Sequence, residues 1–248
     1  MSSGPAVSVV LPAFNGVRWL RPQLDSILAE LAPDDELVVI DDASTDDTLA
    51  LLRSYTDPRL RLVHNPANRG VRGSVERGLA ACRGRCVFLA DQDDIWLPGK
   101  RAALMAALQA GAVLAISDAE VIDGYGARTQ PSFMAMRGGF RGSLLATLVK
   151  NRYLGCAMAF RRELLEDVLP IPASVPMHDM WIGALAALRG PVAYIDRPLM
   201  QYRRHGGNVS PGQRAGLARM LRWRWQLLSN VLARRMRGPR PFTLEACD

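Results

Sequence analysis

The fold is decided by the stretch Cys86-Val-Phe-Leu-Ala-Asp91-Gln-Asp93-Asp94-Ile-Trp96, in which a short apolar run ends in three carboxylates. Carboxylates crowded at one strand end repel one another unless water or a cation neutralises their charge. Asp oxygens are hard ligands that suit Mg²⁺ or Mn²⁺. The turn is therefore a candidate metal site. The alternative is a solvated turn that caps the helix predicted to begin at Lys100.

Strand, loop and helix follow one another repeatedly through the N-terminal half of the chain. Short apolar runs rich in β-branched residues predict strands at 7–11, 36–40, 61–64, 86–90 and 112–117. Apolar residues at helical spacing predict intervening helices at 20–31, at 74–81 and at 100–109, and a further helix that ends at residue 52. Continuous apolar strands that alternate with helices indicate a mostly parallel sheet covered on both faces. The predicted fold class is therefore α/β.

Polar residues follow three of these predicted strands directly. In open parallel sheets, ligands bind at the carboxyl ends of the strands. That rule places three polar segments on one rim of the sheet, although they are scattered along the chain: Pro12-Ala13-Phe14-Asn15, Asp41-Asp42 and Asp91-Gln92-Asp93. No Gly-x-Gly-x-x-Gly follows the first strand, so the ordinary dinucleotide-binding fingerprint is absent from the sequence.

The composition favours a globular protein with one core. At 248 residues and 49% hydrophobic content, the chain can bury one sizeable core. Its cysteines, Cys82, Cys86, Cys156 and Cys247, form no Cys-x-x-Cys pair, and histidine is too scarce for a zinc cluster, so we expect free thiols in a reducing cytosol. The sequence starts without a basic leader, and no apolar run reaches about 18 residues, so we expect neither a signal peptide nor a membrane span.

The pattern is looser after residue 122. A glycine-rich stretch at 123–142 predicts a mobile loop that covers the site. Further along, the sequence predicts a helix at 143–149, a strand that ends at 160, helices at 162–169 and 182–188, a strand at 192–195 and a polar loop at 202–208.

Six motifs occur in order between residues 5 and 210. They are Val9-Val-Leu-Pro-Ala-Phe-Asn15, Val39-Ile-Asp-Asp-Ala-Ser-Thr-Asp-Asp-Thr48, Asn68-Arg-Gly70, Asp91-Gln-Asp-Asp-Ile-Trp96, His178-Asp-Met-Trp181 and Tyr202-Arg-Arg-His-Gly-Gly-Asn-Val-Ser210. In this combination the chain resembles glycosyltransferase family 2, the inverting enzymes with the GT-A fold, and particularly its bacterial rhamnosyltransferase-like branch. The resemblance implies a GT-A, Rossmann-like, mostly parallel sheet flanked by helices, with a C-terminal helical extension.

The resemblance also implies a division of the chain. Residues 1–210 would form the GT-A glycosyltransferase domain. Its nucleotide-sugar-binding half would cover 1–118, and its acceptor and catalytic half would cover 119–210. Residues 211–248 would form a basic, amphipathic helical tail.

The resemblance implies that one set of residues binds a nucleotide-sugar donor: Pro12, Ala13, Asn15, Asp41, Asp42, Arg69, Asp91 and Gln92. The physical chemistry agrees, since a carboxylate can accept a hydrogen bond from a pyrimidine N–H or a ribose hydroxyl. The alternative for Asp42 and Asp46 is capping of the following helix. We expect Asp46 and Thr48 to cap that helix and Asp41 to reach the ligand.

By the same resemblance, Asp93 binds Mn²⁺ or Mg²⁺ directly, Asp91 holds the ribose or the metal's waters, and His205 completes the coordination. The cation would offset the charge that develops on a departing nucleoside diphosphate. Arg203 and Arg204 would steady the diphosphate through their planar donor forks. An ordinary hydrogen-bonding role is the alternative for His205, and a place in the solvated basic tail is the alternative for the two arginines.

Asp179 occupies the family's general-base position, near the acceptor hydroxyl. Burial at the start of an apolar helix would raise its pKa, and helix capping is the alternative. The resemblance implies a sugar or acceptor pocket that includes Gly155, Cys156, His178 and Trp181, with Trp181 stacked on an acceptor ring. Packing within the core is the alternative for these residues.

The net charge of +7 is concentrated near the C-terminal end. Residues 203–240 hold ten arginines and no acidic residue. A helix at 214–237 would group apolar residues on one face: Leu217, Met220, Leu221, Leu228, Val231 and Leu232. Such a helix could lie on anionic lipid or could cover its own domain. Nucleic acid is not expected as a partner, because no aromatic stacking platform accompanies the arginines.

We therefore expect a metal-dependent inverting glycosyltransferase. It would transfer a sugar from a dTDP- or UDP-sugar to a hydroxyl on a glycan, a lipid-linked sugar or a small molecule, in the cytoplasm or on the cytoplasmic face of the inner membrane. The branch resemblance alone points to dTDP-rhamnose. A sugar nucleotidyltransferase is one alternative, although the first strand lacks a glycine-rich basic loop. A catalytically inactive sugar-nucleotide-binding or scaffold protein is another.

Overall fold

The computed structural model describes residues 4–206 and 216–237. Within them, nine strands form one sheet: β1 (Val7–Ala13), β2 (Glu36–Asp41), β3 (Leu60–His64), β4 (Cys86–Leu89), β5 (Ile95–Trp96), β6 (Leu114–Ile122), β7 (Arg128–Gln130), β8 (Met158–Arg161) and β9 (Val192–Arg203). The order is β3-β2-β1-β4-β8-β6-β9-β5, with β7 beside β6. Six of the strands run in one direction, whereas β5, β7 and β8 run against them. The prediction of a mostly parallel sheet is confirmed.

Helices cover both faces of this sheet. They are α1 (Val17–Glu30), α2 (Thr48–Arg53), α3 (Gly70–Ala81), α4 (Lys100–Gln109), α5 (Phe133–Met136), α6 (Leu144–Val149), α7 (Leu165–Val168), α8 (His178–Arg189) and α9 (Leu217–Arg237). Successive side chains of a strand point to opposite faces, so Val10 packs into one buried cluster while Val9 and Leu11 pack into the other. Because both faces are buried, the central strands must be apolar throughout, as the sequence shows.

The chain after residue 118 is more regular than its sequence pattern predicts. β9 continues to Arg203, whereas a strand was expected only at 192–195, because its later residues pair with β6 and its end pairs with β5. The glycine-rich stretch contains β7 and α5. The expected division at residue 118 falls within β6, so the two halves share that strand.

Helix α9 packs against its own domain and also exposes apolar residues. Leu227 and Val231 are buried, whereas Leu221 and Leu232 are more than half exposed. The guanidinium of Arg234 donates to the carbonyl oxygens of Leu169 and Pro170 at 2.6 and 2.7 Å. The single apolar face predicted for this helix is therefore divided, with one part on the core and one part on the surface. Arg214 lies outside the described residues.

In the parts of the chain that the structure describes, no helix is both long enough and apolar enough to cross a membrane. Cys82, Cys86 and Cys156 are buried free thiols, as predicted, and Cys247 lies outside the described residues.

Candidate active site

The loops after β1, β2 and β4 meet at one rim of the sheet. The amide of Asp42 donates to the carbonyl oxygen of Ala13 at 2.8 Å. The side chain of Gln92 accepts from the amide of Phe14 at 2.8 Å and donates to its carbonyl oxygen at 3.1 Å. A Cβ on Gly16 would lie 2.2 Å from Oε1 of Gln92, so this close approach requires glycine. Gln92 thus ties the first loop to the acidic turn.

Backbone strain is concentrated at this rim. Asn15 and Ala43 have φ angles of 47° and 59°, a region that residues with a Cβ seldom occupy. The side-chain oxygen of Asn15 accepts from the amide of Thr45 at 2.8 Å, which holds the two strained loops together. Strained backbone of this kind is most common at functional sites. Pro12 and Ala13 are the last two residues of β1, and they place the loop that contains Asn15 at the rim.

Asp41 and Asp42 are both buried but differ in their partners. Oδ2 of Asp41 lies 2.8 Å from Nδ1 of His64, and its Oδ1 has no hydrogen-bond partner among the described residues. Oδ1 of Asp42 accepts from Nδ2 of Asn65 at 2.6 Å and from the amide of Arg69 at 2.9 Å. Asp42 therefore holds the loop before α3 in place, whereas Oδ1 of Asp41 can still accept a hydrogen bond from a ligand. The side chain of Arg69 is exposed.

The predicted cap of α2 is partly present. Oδ1 of Asp46 accepts from the amide of Thr48 at 3.0 Å, as expected for a capping carboxylate. The hydroxyl of Thr48 instead accepts from the amide of Gly16 at 2.8 Å. Thr48 therefore ties α2 to the loop after β1 and does not cap the helix.

The carboxylates of the acidic turn fall into two groups. The first is Asp93, which contacts His205 just after the end of β9. Oδ2 of Asp93 lies 2.8 Å from Nε2 of His205, and both side chains are 14% exposed. The imidazole of His205 stacks on the indole of Trp19, with ring centroids 4.0 Å apart. Trp19 and His205 line a cleft together with Phe14, Arg18 and Tyr125. Carboxylate oxygen and imidazole nitrogen both suit Mn²⁺, so Asp93 and His205 fit a divalent cation.

The second group of the turn is Asp91, Asp94 and Cys156, whose possible ligand atoms lie within 4.8 Å of one another. Burial, followed by the charge of Asp93, raises the pKa of Asp91 to about 7. Burial also raises the pKa of Asp94 well above its usual value, and one of its oxygens has no partner among the described residues. Burial, followed by the charges of Asp94 and Asp91, raises the pKa of the Cys156 thiol well above its usual value.

Two buried cations support the acidic turn. Nζ of Lys100 donates to the carbonyl oxygen of Cys156 at 2.6 Å, and burial lowers its pKa to about 8. The amide of Arg203 donates to Asp94 at 2.9 Å, and its Nε donates to the carbonyl oxygen of Asp93 at 2.7 Å. The side chain of Arg203 is thus buried and braces the turn, and its contact with a diphosphate stays a prediction. The neighbouring Arg204 is exposed.

The capping alternative for the acidic turn does not describe the structure. Helix α4 begins after Gly99, which has no side-chain cap, and the amide of Gly99 donates to Glu30 at 3.0 Å. The carboxylates of the turn thus contact His205, Arg203 and the Cys156 loop instead of the helix.

Asp179 lies in the first turn of α8 and is 6% exposed. Its Oδ1 accepts from the amide of Met180 at 2.5 Å and from Nδ2 of Asn151 at 3.4 Å. Burial raises the pKa of Asp179 to about 6, whereas those hydrogen bonds lower it. The charge of Asp179 also contributes to the raised pKa of Asp91. The Gly155–Ala157 turn lies between them, since a Cβ on Gly155 would come within 3.6 Å of Cβ of Asp179, and Cys156 lies beside Asp91 and Asp94.

The other predicted pocket residues lie in different environments. A Cβ on Gly155 would come within 3.1 Å of Nε2 of His178, so glycine lets this loop approach α8. Burial lowers the pKa of His178 to about 4, which keeps its imidazole neutral. Trp181 is fully buried, and its indole N–H donates to the carbonyl oxygen of Val168 at 2.9 Å. Trp181 therefore packs in the core, which corrects the prediction that it stacks on an acceptor. Cys156 is likewise buried.

Comparison with known proteins identifies the chain. The model of Glycosyl transferase family 2 matches residues 8–169, which is more than half of the sequence. The chain belongs to glycosyl transferase family 2. Its match includes the rim loops and the acidic turn, and ends before Asp179 and His205.

Several curated relatives of this family 2 chain carry similar sequences. An uncharacterized glycosyltransferase of Nostoc sp. is 29% identical over 213 residues, which cover 82% of the chain and 66% of that protein. The succinoglycan biosynthesis protein ExoO of Rhizobium meliloti is 36% identical over 119 residues, which cover 48% of the chain and 34% of that protein. The chain thus spans about one third to two thirds of the length of these relatives.

Solved structures show the same fold. A chain of S. aureus TarS residues 1–349, in complex with UDP-GlcNAc, has a TM-score of 0.69 at 19% identity, and the match covers 94% of the present chain and 73% of that TarS chain. The mannosyltransferase PcManGT from Pyrobaculum calidifontis, in complex with GDP-Man and Mn²⁺, has a TM-score of 0.62 at 24% identity and covers 96% of the chain and 66% of that protein. The predicted GT-A fold is confirmed for this family 2 chain.

Sequence reasoning missed four residues that support the family 2 site. They are Trp19, Gln23, Lys100 and Asn151. Gln23 is fully buried and donates to the carbonyl oxygen of Asp91 at 2.7 Å. A signal for it existed, since Gln23 interrupts the apolar face of α1 between Leu20 and Ile27. Lys100 carried no such signal, because a lysine at a helix start normally faces water.

Proposed function

We propose that the chain is a metal-dependent inverting glycosyltransferase that uses a nucleotide-sugar donor. The proposal is supported by the contact between Asp93 and His205 and by the burial of Asp179 at the start of α8. Family membership and the GT-A fold support the reaction class. The mannosyltransferase that resembles this chain was solved with GDP-Man and Mn²⁺, which supports a divalent cation.

For the donor, we propose a UDP- or dTDP-sugar. Oδ1 of Asp41 is buried without a described partner, and it could accept the N–H of a pyrimidine base. TarS binds UDP-GlcNAc, and the relative WfgD of Escherichia coli, 31% identical over 94 residues covering 38% of the chain and 37% of WfgD, is named for UDP-Glc. A dTDP-rhamnose donor rests on the resemblance to the rhamnosyltransferase-like branch.

The proposed mechanism assigns the proton transfer to Asp179. Its carboxylate takes the proton of the acceptor hydroxyl, which then attacks the anomeric carbon from the face opposite the leaving nucleoside diphosphate, so the configuration inverts. Such a base typically contributes about 10²- to 10⁴-fold. Asp93 and His205 would hold the cation, which would act as a Lewis acid on the leaving diphosphate. Arg204 is exposed beside His205 and could contact the same diphosphate.

One assay tests the reaction class. The protein is incubated with Mn²⁺ and a panel of UDP-, dTDP- and GDP-sugars, and nucleoside diphosphate release is measured with and without hydroxyl acceptors. Release that requires Mn²⁺ is expected. Pyrophosphate release would indicate a nucleotidyltransferase, and donor binding without any release would indicate an inactive binding protein. Asp93→Asn should abolish the dependence on Mn²⁺ and most of the activity, and full activity in that variant would contradict the metal assignment.

We also propose that α9 contacts an anionic membrane surface on the cytoplasmic face. Leu221, Trp225, Leu232 and Met236 are exposed along one side of the helix, and exposed arginines such as Arg222 flank them. An amphipathic helix with such a basic rim suits anionic lipid. Sedimentation with phosphatidylglycerol vesicles should capture the protein, and phosphatidylcholine vesicles should not. Trp225→Ser should weaken capture, whereas Met136→Ser, which removes an exposed apolar residue of α5, should not.

A further inference from the structure

Three arginines converge beside Asp179 without a matching number of carboxylates. Nη2 of Arg137 donates to the carbonyl oxygen of Asn151 at 2.6 Å, and the side chain of Asn151 donates to Asp179. Arg152 is the next residue along the chain. Arg204 is placed by Tyr202, whose ring lies 5.9 Å from its guanidinium carbon. We call Arg137, Arg152 and Arg204 the arginine cluster.

An aromatic pair links the members of the cluster. The ring of Phe133 packs edge to face on the ring of Tyr202, with centroids 5.5 Å apart. The guanidinium carbon of Arg137 lies 5.8 Å from the Phe133 ring. Arg137 and Arg204 therefore each contact one ring of the same aromatic pair.

Protein groups leave the donors of the cluster incompletely satisfied. Nε of Arg137 and Nε of Arg152 are buried and have no hydrogen-bond partner among the described residues. Around Arg137, the described charges that act on its pKa include one carboxylate, Asp179, and two cations, Arg152 and Arg204. Like charges at close range destabilise one another unless an anion lies between them. The cluster therefore has an excess of positive charge and of free donors.

We propose that Arg137 and Arg152 of the arginine cluster bind a phosphate group of the acceptor, so that the acceptor is a phosphorylated sugar or polyol. This inference rests on the proposed function, because it uses Asp179 as the base. Arg137 and Arg152 flank Asn151, which contacts Asp179, and the base must touch the acceptor hydroxyl. An acceptor phosphate on these two arginines would hold that hydroxyl near the base. Guanidinium groups suit phosphate because their planar forks donate two parallel hydrogen bonds.

The donor diphosphate is the competing source of phosphate. Its expected place is at Asp93 and His205, where the cation would bind. Arg204 adjoins that place, whereas Arg137 and Arg152 adjoin Asn151 on the side of Asp179. The proposal therefore predicts that substitutions of Arg137 and Arg152 affect the acceptor, and a donor site would predict an effect on the donor KM.

The test compares matched acceptors that differ only in phosphate. With an active nucleotide sugar, nucleoside diphosphate release is measured for N-acetylglucosamine against its 1-phosphate and for glycerol against glycerol 3-phosphate. The wild-type protein should prefer the phosphorylated member of a pair by at least about tenfold in kcat/KM, the value expected for charge-assisted hydrogen bonds. Arg152→Gln should bring this ratio close to one with little change in the donor KM. Arg137→Gln should do the same, and the exposed Arg141→Gln serves as the control.

Several results would overturn the proposal. Equal rates for neutral and phosphorylated acceptors would do so, as would an unchanged ratio with a raised donor KM in Arg152→Gln. If no nucleotide sugar yields nucleoside diphosphate, the proposed function fails. The phosphate site is then still tested by heat denaturation. Inorganic phosphate should then raise the melting temperature of the wild-type protein and of Arg141→Gln more than that of Arg152→Gln. Equal shifts in all three would refute the site.

Discussion

Asp179 combines burial with a polar environment, and the balance between them sets its chemistry. Loss of hydration raises its pKa to about 6, while the amide of Met180 and the side chain of Asn151 hold the ionised form. A base with this pKa is unprotonated at neutral pH and still accepts a proton from an alcohol in the transition state. The same burial makes the ionised carboxylate costly to the folded protein.

The proposed role of Asp179 as the base predicts how transfer depends on pH. Because the base must be unprotonated, kcat/KM should fall about tenfold per pH unit below a midpoint near pH 6 and should level off above it. The measurement is kcat/KM at saturating Mn²⁺ from about pH 4.5 to pH 9, within the range where the protein stays folded. A rate that does not change across pH 6 would show that another group takes the proton.

Replacement of Asp179 by Asn should lower activity but raise the free energy of unfolding. In the unfolded chain its pKa is near 3.8, so the unfolded state ionises first as the pH rises, and the folded state loses stability until about pH 6. Asp179→Asn should therefore raise the free energy of unfolding by about 1–3 kcal/mol at pH 8 while it abolishes most transfer. The gain should disappear below about pH 4.

Urea unfolding at the two pH values measures this effect. Asp34→Asn, which changes an exposed carboxyl group, should leave the free energy of unfolding nearly unchanged at both. Lower stability of Asp179→Asn at pH 8 would mean that the hydrogen bonds of the carboxylate outweigh its burial.

Helix α1 contributes to the site through the residues of its first turns. Trp19 stacks on His205 and directs its indole N–H toward the carbonyl oxygen of Gly124 at 3.5 Å, while Gln23 holds the backbone of Asp91. The helix thus sets the positions of both an imidazole and a strand end that lie far from it in the chain. Neighbours that orient metal ligands commonly change metal affinity by about 10- to 100-fold.

Removal of the Trp19 ring should weaken the response to metal. Trp19→Ala should raise the Mn²⁺ concentration for half-maximal activity about tenfold, because the His205 ring loses its stacking surface. Trp19→Phe keeps an aromatic face and should restore most of the affinity. Trp225→Ala removes an exposed indole from α9 and should have no effect in the absence of lipid. Equal metal affinity in Trp19→Ala and wild-type protein would contradict an orienting role.

At the scale of the element, the sequence predicts best where burial decides. β1, β2 and β4 are covered on both faces, so their residues are apolar almost without interruption and the strands are evident. The end of β9 is polar, and its strand conformation depends on pairing with β6 and β5, which a local pattern does not contain. Trp181 illustrates a related error, because α8 is buried nearly all round and its Trp packs inward.

The whole molecule brings together residues that the sequence keeps far apart. Asp93 and His205 are separated by 112 positions, and only the family resemblance predicted that they meet. The sheet brings them together, because β5 pairs antiparallel with the end of β9. In the same sheet, β8 lies antiparallel between β4 and β6 and follows the Gly155–Ala157 turn, whose Cys156 lies beside Asp91 and Asp94. Trp19, Lys100 and Asn151 escaped prediction because their roles arise from this tertiary arrangement.

A ligand that bridges these distant segments should stabilise the whole domain. Mn²⁺ with UDP should raise the melting temperature, because binding to the folded state alone contributes about 2.7 kcal/mol at one hundred times Kd. The shift should be small for either ligand alone and largely lost in Asp93→Asn. Differential scanning fluorimetry provides the measurement. A full shift in Asp93→Asn would place the cation elsewhere.

The bond from the amide of Arg203 to Asp94 has a consequence for synthesis on the ribosome. Its partners are 109 positions apart, so the acidic turn leaves the ribosome long before the strand that braces it. Until then, the nascent turn lacks Arg203 and His205, so only water and dissolved ions can solvate and neutralise its carboxylates. We expect the nascent chain to acquire the geometry of the proposed metal site only after nearly the whole of the described domain has been translated.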